Sequence, residues 1–99
     1  MQIETNQVYT LKLVSGEELI AKVVDHSGQY ITIEEPVSIA PTQQGMQMIP
    51  SIFTADPKGI FRLNTNNVTI YAETEDSIKV KYIEATTGIK VPEKKLILG

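Results

Sequence analysis

The sequence predicts a mainly β fold in which a meander of strongly bent short strands is followed by one C-terminal helix. Apolar residues alternate with polar ones through most of residues 8–39, and residues 68–72 (VTIYA) form a further strand-like run. Tight-turn residues separate these runs, and helix start and stop signals occur together near the C-terminus. Because successive side chains of a strand point to opposite faces, this spacing gives a sheet with one face committed to a core.

The first three strands are predicted within residues 8–39. In each strand we expect one alternating apolar set to face the core: Tyr9, Leu11 and Leu13, then Leu19, Ala21 and Val23, then Ile31, Ile33, Val37 and Ile39. Ser15-Gly16 and Ser27-Gly28 supply the turns, because glycine adopts positive φ without steric cost. Residues 1–7 are polar and carry no period, which predicts a short, loosely held lead-in.

The middle of the chain alternates between strands and turns. A fourth strand is predicted over residues 46–54, with its alternation broken at an internal proline. Residues 56–59 (DPKG) fit a type I turn, and residues 60–63 are expected to pair back onto the fourth strand. Residues 64–67 (NTNN) predict another turn, because Asn tolerates left-handed φ. Residues 68–72 complete a set of five main strands.

The segment from residue 75 to residue 88 admits two interpretations. Alternating apolar residues within 78–82 favour a strand. A candidate N-cap at Thr74, an acidic first turn and a C-terminal Gly88 favour a helix, which is our prediction. The tail beyond the helix ends in the apolar run 96–98, which we expect to dock on a neighbour or on the same core.

Length and composition restrict the class of protein. The chain has 99 residues, which is enough for a single domain with one core. Its 9 basic and 12 acidic residues give a net charge of -3, so DNA binding is not expected and RNA binding would need a local patch. Because the chain lacks an apolar run of membrane-spanning length and a signal-peptide start, we expect a cytoplasmic protein without membrane contact.

The sequence gives no recognisable frame for catalysis or for metal binding. It contains no cysteine, so thiolate metal sites and disulfides are excluded. Asp25-His26-Ser27 has the residue types of a catalytic triad, but consecutive residues cannot place Ser and Asp on opposite sides of one imidazole. We therefore predict that the protein is not an enzyme and uses no cofactor or metal.

Two surface patches are candidates for partner contacts. One is basic and holds five of the nine basic residues, namely Lys79, Lys81, Lys90, Lys94 and Lys95. Glutamates interrupt this patch, so a solvated face is the preferred interpretation. The other patch is apolar and comprises Met46, Met48, Ile49, Ile52 and Phe53. Core or inter-subunit packing is its preferred interpretation.

Residues 9–35 resemble the first half of the Sm/LSm motif, whose bacterial member is Hfq. The matching positions are the apolar run to Leu13, followed by Gly16, Leu19, Ala21, Val23 and Ile31 to Ile33. Residues 63–70 (LNTNNVTI) resemble the second half, with Asn67-Val68 matching and Asn64-Thr65 in place of the usual Arg-Gly. The whole chain is similar to the small Sm-like proteins of tailed cyanophages, which share the Ser15 to Glu18 turn, a fourth strand interrupted by proline and a C-terminal helix.

The resemblance implies a single Sm-like domain over residues 1–99, built as a strongly bent five-stranded barrel of the SH3 type with a C-terminal helix. Its parts would be the meander 8–39, the second half of the motif in 46–73, and the helix and tail in 75–99. It also implies a closed homo-oligomeric ring, in which the fourth strand of one subunit pairs with the fifth of the next. Such pairing would cover both open edges of the sheet.

The resemblance further implies that two turns face the pore of the ring and bind single-stranded RNA. The residues that fall in or beside these turns are His26, Gln29, Tyr30, Arg62, Asn64 and Asn66. Tyr30 would offer a face for base stacking and Gln29 a hydrogen-bonding edge. His26 is either a pore residue or a solvated turn residue. The alternative function is a ring that serves as a structural or protein-interaction module without RNA, which the acidic balance and the missing Arg-Gly favour.

Overall fold

The computed structural model describes residues 2–56 and 58–88. It contains six strands, one 3-10 turn and one α-helix: β1 (Gln7–Leu13), β2 (Glu18–Ser27), β3 (Tyr30–Thr42), β4 (Gly45–Pro50), β5 (Ile60–Asn64), the 3-10 turn (Thr65–Asn67), β6 (Val68–Glu73) and α1 (Asp76–Thr87). The prediction of a mainly β chain with one helix after the strands is confirmed. The described residues contain six strands instead of the predicted five, because residues 60–64 form a strand of their own.

All strand pairs are antiparallel, in the order β4-β3-β2-β1-β6, and β5 also pairs with β3. Strand β3 is 13 residues long, so it accommodates two partners in succession. Its first part pairs with β5 and its second part, from Val37, pairs with β4. The prediction that residues 60–63 pair with the fourth strand is therefore wrong. The fourth strand also ends earlier than predicted, at Pro50.

The 3-10 turn holds two distant parts of the curled sheet close together. Strands β5 and β6 flank this turn, yet β5 pairs with β3 and β6 pairs with β1. The Thr65 amide donates to the carbonyl of Gln29 at 2.8 Å, and the Val14 amide donates to the carbonyl of Asn67 at 2.7 Å. These bonds tie the turn to both hairpins. The sheet wraps around its inner core in this way without closing into a hydrogen-bonded barrel.

A β-bulge at Glu35 divides the apolar residues of β3 between two cores. In the ladder between β2 and β3, Lys22 lies opposite Glu34 and Ile20 lies opposite Val37. Between these two pairs β3 advances by three residues and β2 by two, so β3 has one extra residue. Glu35, which lies in this interval, adopts a positive φ of 52°. The extra residue reverses the alternation. Ile31 and Ile33 face the inner core, while Val37 and Ile39 face the opposite side, so the prediction of a single face is wrong.

The two cores lie on opposite faces of the sheet. The inner core is enclosed by the curled sheet and contains Tyr9, Leu11, Leu19, Ala21, Val23, Ile31 and Ile33. The outer core lies beneath α1 and contains Val8, Ile20, Val37 and Tyr82. Full burial of a side chain such as Ile20 contributes about 1.5–3 kcal/mol. Helix α1 is therefore held by the apolar residues on the outer face of the sheet, opposite the inner core.

Capping groups at both ends set the limits of helix α1. The Glu75 carboxylate accepts hydrogen bonds from the amide of Ser77 at 3.1 Å and from its hydroxyl at 2.6 Å, and these bonds lower the pKa of Glu75. Gly88, with a φ of 75°, ends the helix in the left-handed conformation. The predicted cap, Thr74, is instead buried and bonded to the Thr10 hydroxyl. The predicted apolar tip at 96–98 lies outside the described residues.

The N-terminal segment is fixed to the sheet. The Gln2 amide donates to the Tyr71 hydroxyl at 2.9 Å, and the Glu4 amide donates to the Tyr9 hydroxyl at 2.8 Å. Ile3 packs against the inner core. The prediction of a loosely held lead-in is therefore wrong for residues 2–6, because one apolar side chain and two tyrosine hydroxyls anchor it.

Three of the four predicted turns form for the expected reason. Gly16 and Gly28 have positive φ values of 93° and 61°. The Gly59 amide donates to the Asp56 carbonyl at 2.9 Å, which is the hydrogen bond of the expected β-turn. The turn after β5 differs, because Asn64 has a φ of −72° and begins a 3-10 turn. Its asparagine acts as a cap and not as a left-handed residue.

Replacing Tyr82 with phenylalanine tests the anchor of α1. The Tyr82 hydroxyl donates to the carbonyls of Glu34 and Glu35, at 3.2 and 2.8 Å, and burial raises the pKa of this tyrosine well above its usual value. We expect Tyr82→Phe to lower the free energy of unfolding by about 1–2 kcal/mol. Tyr30→Phe, the same change at a half-exposed tyrosine, is the control in a urea titration.

The raised pKa also predicts a pH dependence. Above the ordinary tyrosine pKa of about 10 the unfolded chain loses the Tyr82 proton while the folded chain keeps it, so stability falls as pH rises. Wild type should therefore lose stability more steeply than Tyr82→Phe between pH 10 and pH 11.5. Equal slopes for the two proteins would contradict the burial of a neutral tyrosine.

Candidate functional site

Two turns that are distant in the sequence meet at one end of the sheet. The hairpin between β2 and β3 carries Gln29 and Tyr30, and the end of β5 carries Asn64. Tyr30 lies directly opposite Asn64 in the β3–β5 ladder, and the Thr65 amide donates to the Gln29 carbonyl. The structure therefore brings the two predicted RNA-binding turns together. We refer to Gln29, Tyr30, Arg62, Asn64 and Asn66 as the hairpin-end patch.

The strand registers determine which predicted residues share a face. Across β2, β3 and β5 the residues form three rows: Ser27–Tyr30–Asn64, His26–Ile31–Leu63 and Asp25–Thr32–Arg62. Adjacent rows point to opposite faces. Because Ile31 is buried in the inner core, His26 belongs to the inner face, while Tyr30, Arg62 and Asn64 belong to the outer face. His26 is therefore separated from the hairpin-end patch by the sheet.

The hairpin-end patch offers one aromatic ring and several amide groups. Tyr30 is 49% exposed, so its ring is accessible to a ligand. Gln29 and Asn66 are exposed as well. The Asn64 side-chain oxygen accepts a hydrogen bond from the Asn66 backbone amide at 2.9 Å, which leaves the Asn64 amide nitrogen and one lone pair of the oxygen for a ligand. The chemistry of the patch is that of stacking and hydrogen bonding, with little charge.

Two residues of opposite charge share one row beside the patch. Arg62 is exposed on β5, and Asp25 lies in the same row on β2, with Thr32 between them. A phosphate near Arg62 would therefore also experience the Asp25 carboxylate. Of the basic patch noted in the sequence, Lys79 and Lys81 lie on α1 and the other three lysines lie outside the described residues.

The two ends of the sheet are open and apolar. In the described part of the chain, β4 pairs only with β3, and β6 pairs only with β1. Strand β5, which lies off this order, likewise pairs only with β3. On β4, Met46 is 65% exposed, and on β6, Ile70 is 62% exposed. The sequence had marked the apolar residues of β4 for core or inter-subunit packing. It had not marked Ile70, although the apolar residues on both faces of VTIYA were a usable signal.

An apolar groove lies between β4 and α1. It has a volume of about 460 Å3 and is lined by Ile39, Met46, Gln47, Met48, Ile78, Lys81 and Ala85. The register places Met48 opposite Ile39 and Met46 opposite Pro41, so both methionines share the outer face with the core beneath α1. The free edge of β4 therefore borders the groove.

The polar clusters elsewhere hold the fold together. The Ser38 hydroxyl lies within hydrogen-bonding distance of the Glu17 carboxylate and the Ser51 hydroxyl, which joins the β1–β2 turn to the end of β4. Lys58 bonds the Glu35 carboxylate at 2.9 Å and the Thr86 carbonyl at 3.1 Å, which joins the bulge to the end of α1. Both sets of bonds stabilise places where the strands bend or separate.

Within residues 2–56 and 58–88, no three His, Asp or Glu side chains are close enough to hold a metal ion together. Over the same residues, no helix has the length and apolarity to cross a membrane.

No family model matches the chain, and no curated protein matches it at a significant level. The functional interpretation therefore depends on the geometry of the hairpin-end patch and of the two open edges.

Replacing Asn64 tests its role as a cap. Asn64→Ala removes the acceptor of the Asn66 amide, so we expect the free energy of unfolding to fall by about 1 kcal/mol. Asn64→Asp retains an acceptor at the same place and should restore most of the loss. Equal destabilisation by both substitutions in a urea titration would contradict the capping role.

Proposed function

We propose that this chain is a cytoplasmic Sm-like subunit that assembles into a closed homo-oligomeric ring and binds single-stranded RNA at the hairpin-end patch. The observation that carries the RNA proposal is the meeting of Tyr30 with Asn64, from turns far apart in the sequence. The similarity to the Sm-like proteins of tailed cyanophages suggests that the ring acts in an infected bacterial cell, on host or phage RNA.

The connection between β5 and β6 supports an Sm-like barrel. These consecutive strands are separated by one 3-10 turn but pair with β3 and β1, so the sheet curls around a single inner core. The turn itself is hydrogen-bonded to both neighbouring hairpins. An SH3-type barrel would require only that the gap between β5 and β6, which do not pair with each other, be closed.

The open edges at the two ends of the sheet order, on β4 and β6, support the ring. Unpaired strand edges are association hazards unless another element covers them. Strand β4 at one end of the sheet and β6 at the other both carry exposed apolar residues. Head-to-tail pairing of β4 with β6 of the next copy would cover both edges, and a rotation that closes would give a ring. This arrangement corresponds to the pairing of fourth and fifth strands that the sequence resemblance implies.

The surface chemistry of the hairpin-end patch supports RNA as the ligand. Single-stranded RNA is bound mainly by stacking unpaired bases on aromatic rings and by hydrogen bonds to the base edges. Tyr30 supplies an accessible ring, and the neighbouring Gln29 and Asn64 supply amide groups. In a ring these patches would be repeated around the axis, so successive nucleotides would meet equivalent sites.

Tyr30→Ala should weaken RNA binding. Loss of one stacked base costs about 1–3 kcal/mol, which corresponds to roughly 5–150-fold weaker binding. Fluorescence anisotropy with labelled oligo-U and oligo-A measures the effect, and Tyr30→Phe, which retains the ring, is the matched control. Binding should also weaken as salt rises. The absence of salt-sensitive binding at micromolar wild-type protein would refute the RNA proposal.

A second candidate function is a ring that acts as a protein-interaction or structural module. Two observations favour it: the Asp25 carboxylate shares a row with Arg62, and the Asn64 oxygen is already bonded to Asn66. A pull-down from infected-cell lysate after nuclease treatment separates the two functions. A defined protein that remains bound after nuclease treatment supports the module, whereas partners lost with the RNA support RNA binding.

Ile70→Glu should disrupt the ring. It places a charge on the exposed edge strand β6, where a paired neighbour would bury it. Native mass spectrometry should show a closed oligomer for wild type and mainly monomer for the variant. Val14→Glu, at a turn residue that is 64% exposed, is the control and should remain oligomeric. A wild-type monomer would be evidence against edge pairing.

A further inference from the structure

We infer that the groove between β4 and α1 receives the Ile70 side chain of a second copy of this chain. The helix then takes part in assembly, in addition to covering the outer core. This inference rests on the ring proposed above and names the contact that would select the partner strand.

The groove is suited to an aliphatic side chain. Ile39, Met46, Met48, Ile78 and Ala85 form its apolar walls. Met46 is 65% exposed, so in one isolated copy the wall nearest the edge of β4 faces water. Methionine adapts its shape to an incoming side chain at low cost because it is unbranched. The only charged side chain among the lining residues is Lys81.

The other open edge presents a side chain on the corresponding face. Ile70 lies opposite Lys12 in the β1–β6 ladder, next to the pair of Leu11 with Tyr71. Because Leu11 is completely buried in the inner core, alternation directs Ile70 to the outer face. Ile70 is 62% exposed there, and it belongs to the end strand of the sheet order.

Strand addition connects the two features. A strand that pairs with the free edge of β4 continues the sheet and places every second side chain on the outer face. That face borders the groove, because Met46 and Met48 lie on it and α1 packs beside them. Strand β6 of a second copy would therefore direct Ile70 towards the groove. Its neighbour Tyr71 would face the other side.

A second copy explains both exposed surfaces at once. Burying Ile70 in the groove would remove from water the most exposed large apolar side chain of β6 and the exposed Met46 of β4. A foreign peptide on β4 would cover the groove but would leave Ile70 of this chain in water. The continuity of the groove with the proposed β4–β6 interface therefore favours self-recognition.

Engineered cysteines test the contact directly, because the chain contains none. A disulfide requires Cβ atoms about 3.5–4.5 Å apart, so it reports a specific side-chain neighbour. We would combine Ile70→Cys with Met46→Cys in one variant and with Met48→Cys in another. The matched control combines Ile70→Cys with Ile49→Cys, since Ile49 lies on the same strand but alternates to the opposite face.

Mild oxidation followed by non-reducing electrophoresis should give a covalent ladder with at least one methionine position and none with the Ile49 control. The highest band of the ladder would count the subunits of the ring. A ladder with Ile49→Cys alone, or no ladder with any pair while native mass spectrometry still shows a wild-type ring, would overturn the groove contact and leave the ring intact. A monomeric wild type would overturn the ring first and the groove contact with it.

Ala85→Trp provides a test that leaves both strand edges unchanged. It fills the groove from the helix side, so the ring should dissociate at least tenfold more readily on dilution, measured by mass photometry or native mass spectrometry. Lys79→Trp is the control, because Lys79 lies on the other flank of α1. There it lines a separate cavity together with Lys22 and Tyr82. Equal ring stability in both variants, with folding confirmed by circular dichroism, would contradict the inference.

Discussion

The anchoring of Tyr82 at the bulge of β3 is the interaction on which the rest of the structure depends. The bulge at Glu35 reverses the alternation of β3, so the same strand contributes Ile31 to the inner core and Val37 to the outer core. The Tyr82 hydroxyl bonds the two carbonyls at this point, and Lys58 links Glu35 to the end of the helix. Because these bonds satisfy backbone groups at an irregular position, they hold the bulge and the helix in one arrangement.

The position of the bulge also explains why β3 has two partners along one side. Strand β5 pairs up to Glu34 and β4 pairs from Val37, so the ladder is interrupted at the residues where β3 changes faces. The interruption allows β5 to turn with β3 and to lead through the 3-10 turn into β6. The hairpin-end patch and the β4–α1 groove therefore arise from the same feature, one on each side of the bulge.

The candidate RNA site and the proposed assembly surface use different groups on the same outer face. The hairpin-end patch depends on Tyr30 and on side-chain amides, and the open edges depend on aliphatic side chains and on unpaired backbone groups. A subunit with this division could retain its assembly while its ligand changes, because the strands that pair at the edges do not carry Tyr30 or Asn64. The two proposed functions therefore share one ring and differ only at the patch.

The amino-acid pattern predicted most of the local structure. Period-two spacing located most of the strands, Gly16 and Gly28 located two turns, and the acidic first turn together with Gly88 identified the helix, because each depends on residues close together in the chain. The resemblance to the Sm motif also led to Gln29, Tyr30 and Asn64, which the structure brings together. The bulge at Glu35, the pairing of β5 with β3 and the separation of His26 from the patch emerge only from contacts between strands. Each of these features depends on which strand pairs with which and in what register. The residues of a single strand do not specify its partner or its register.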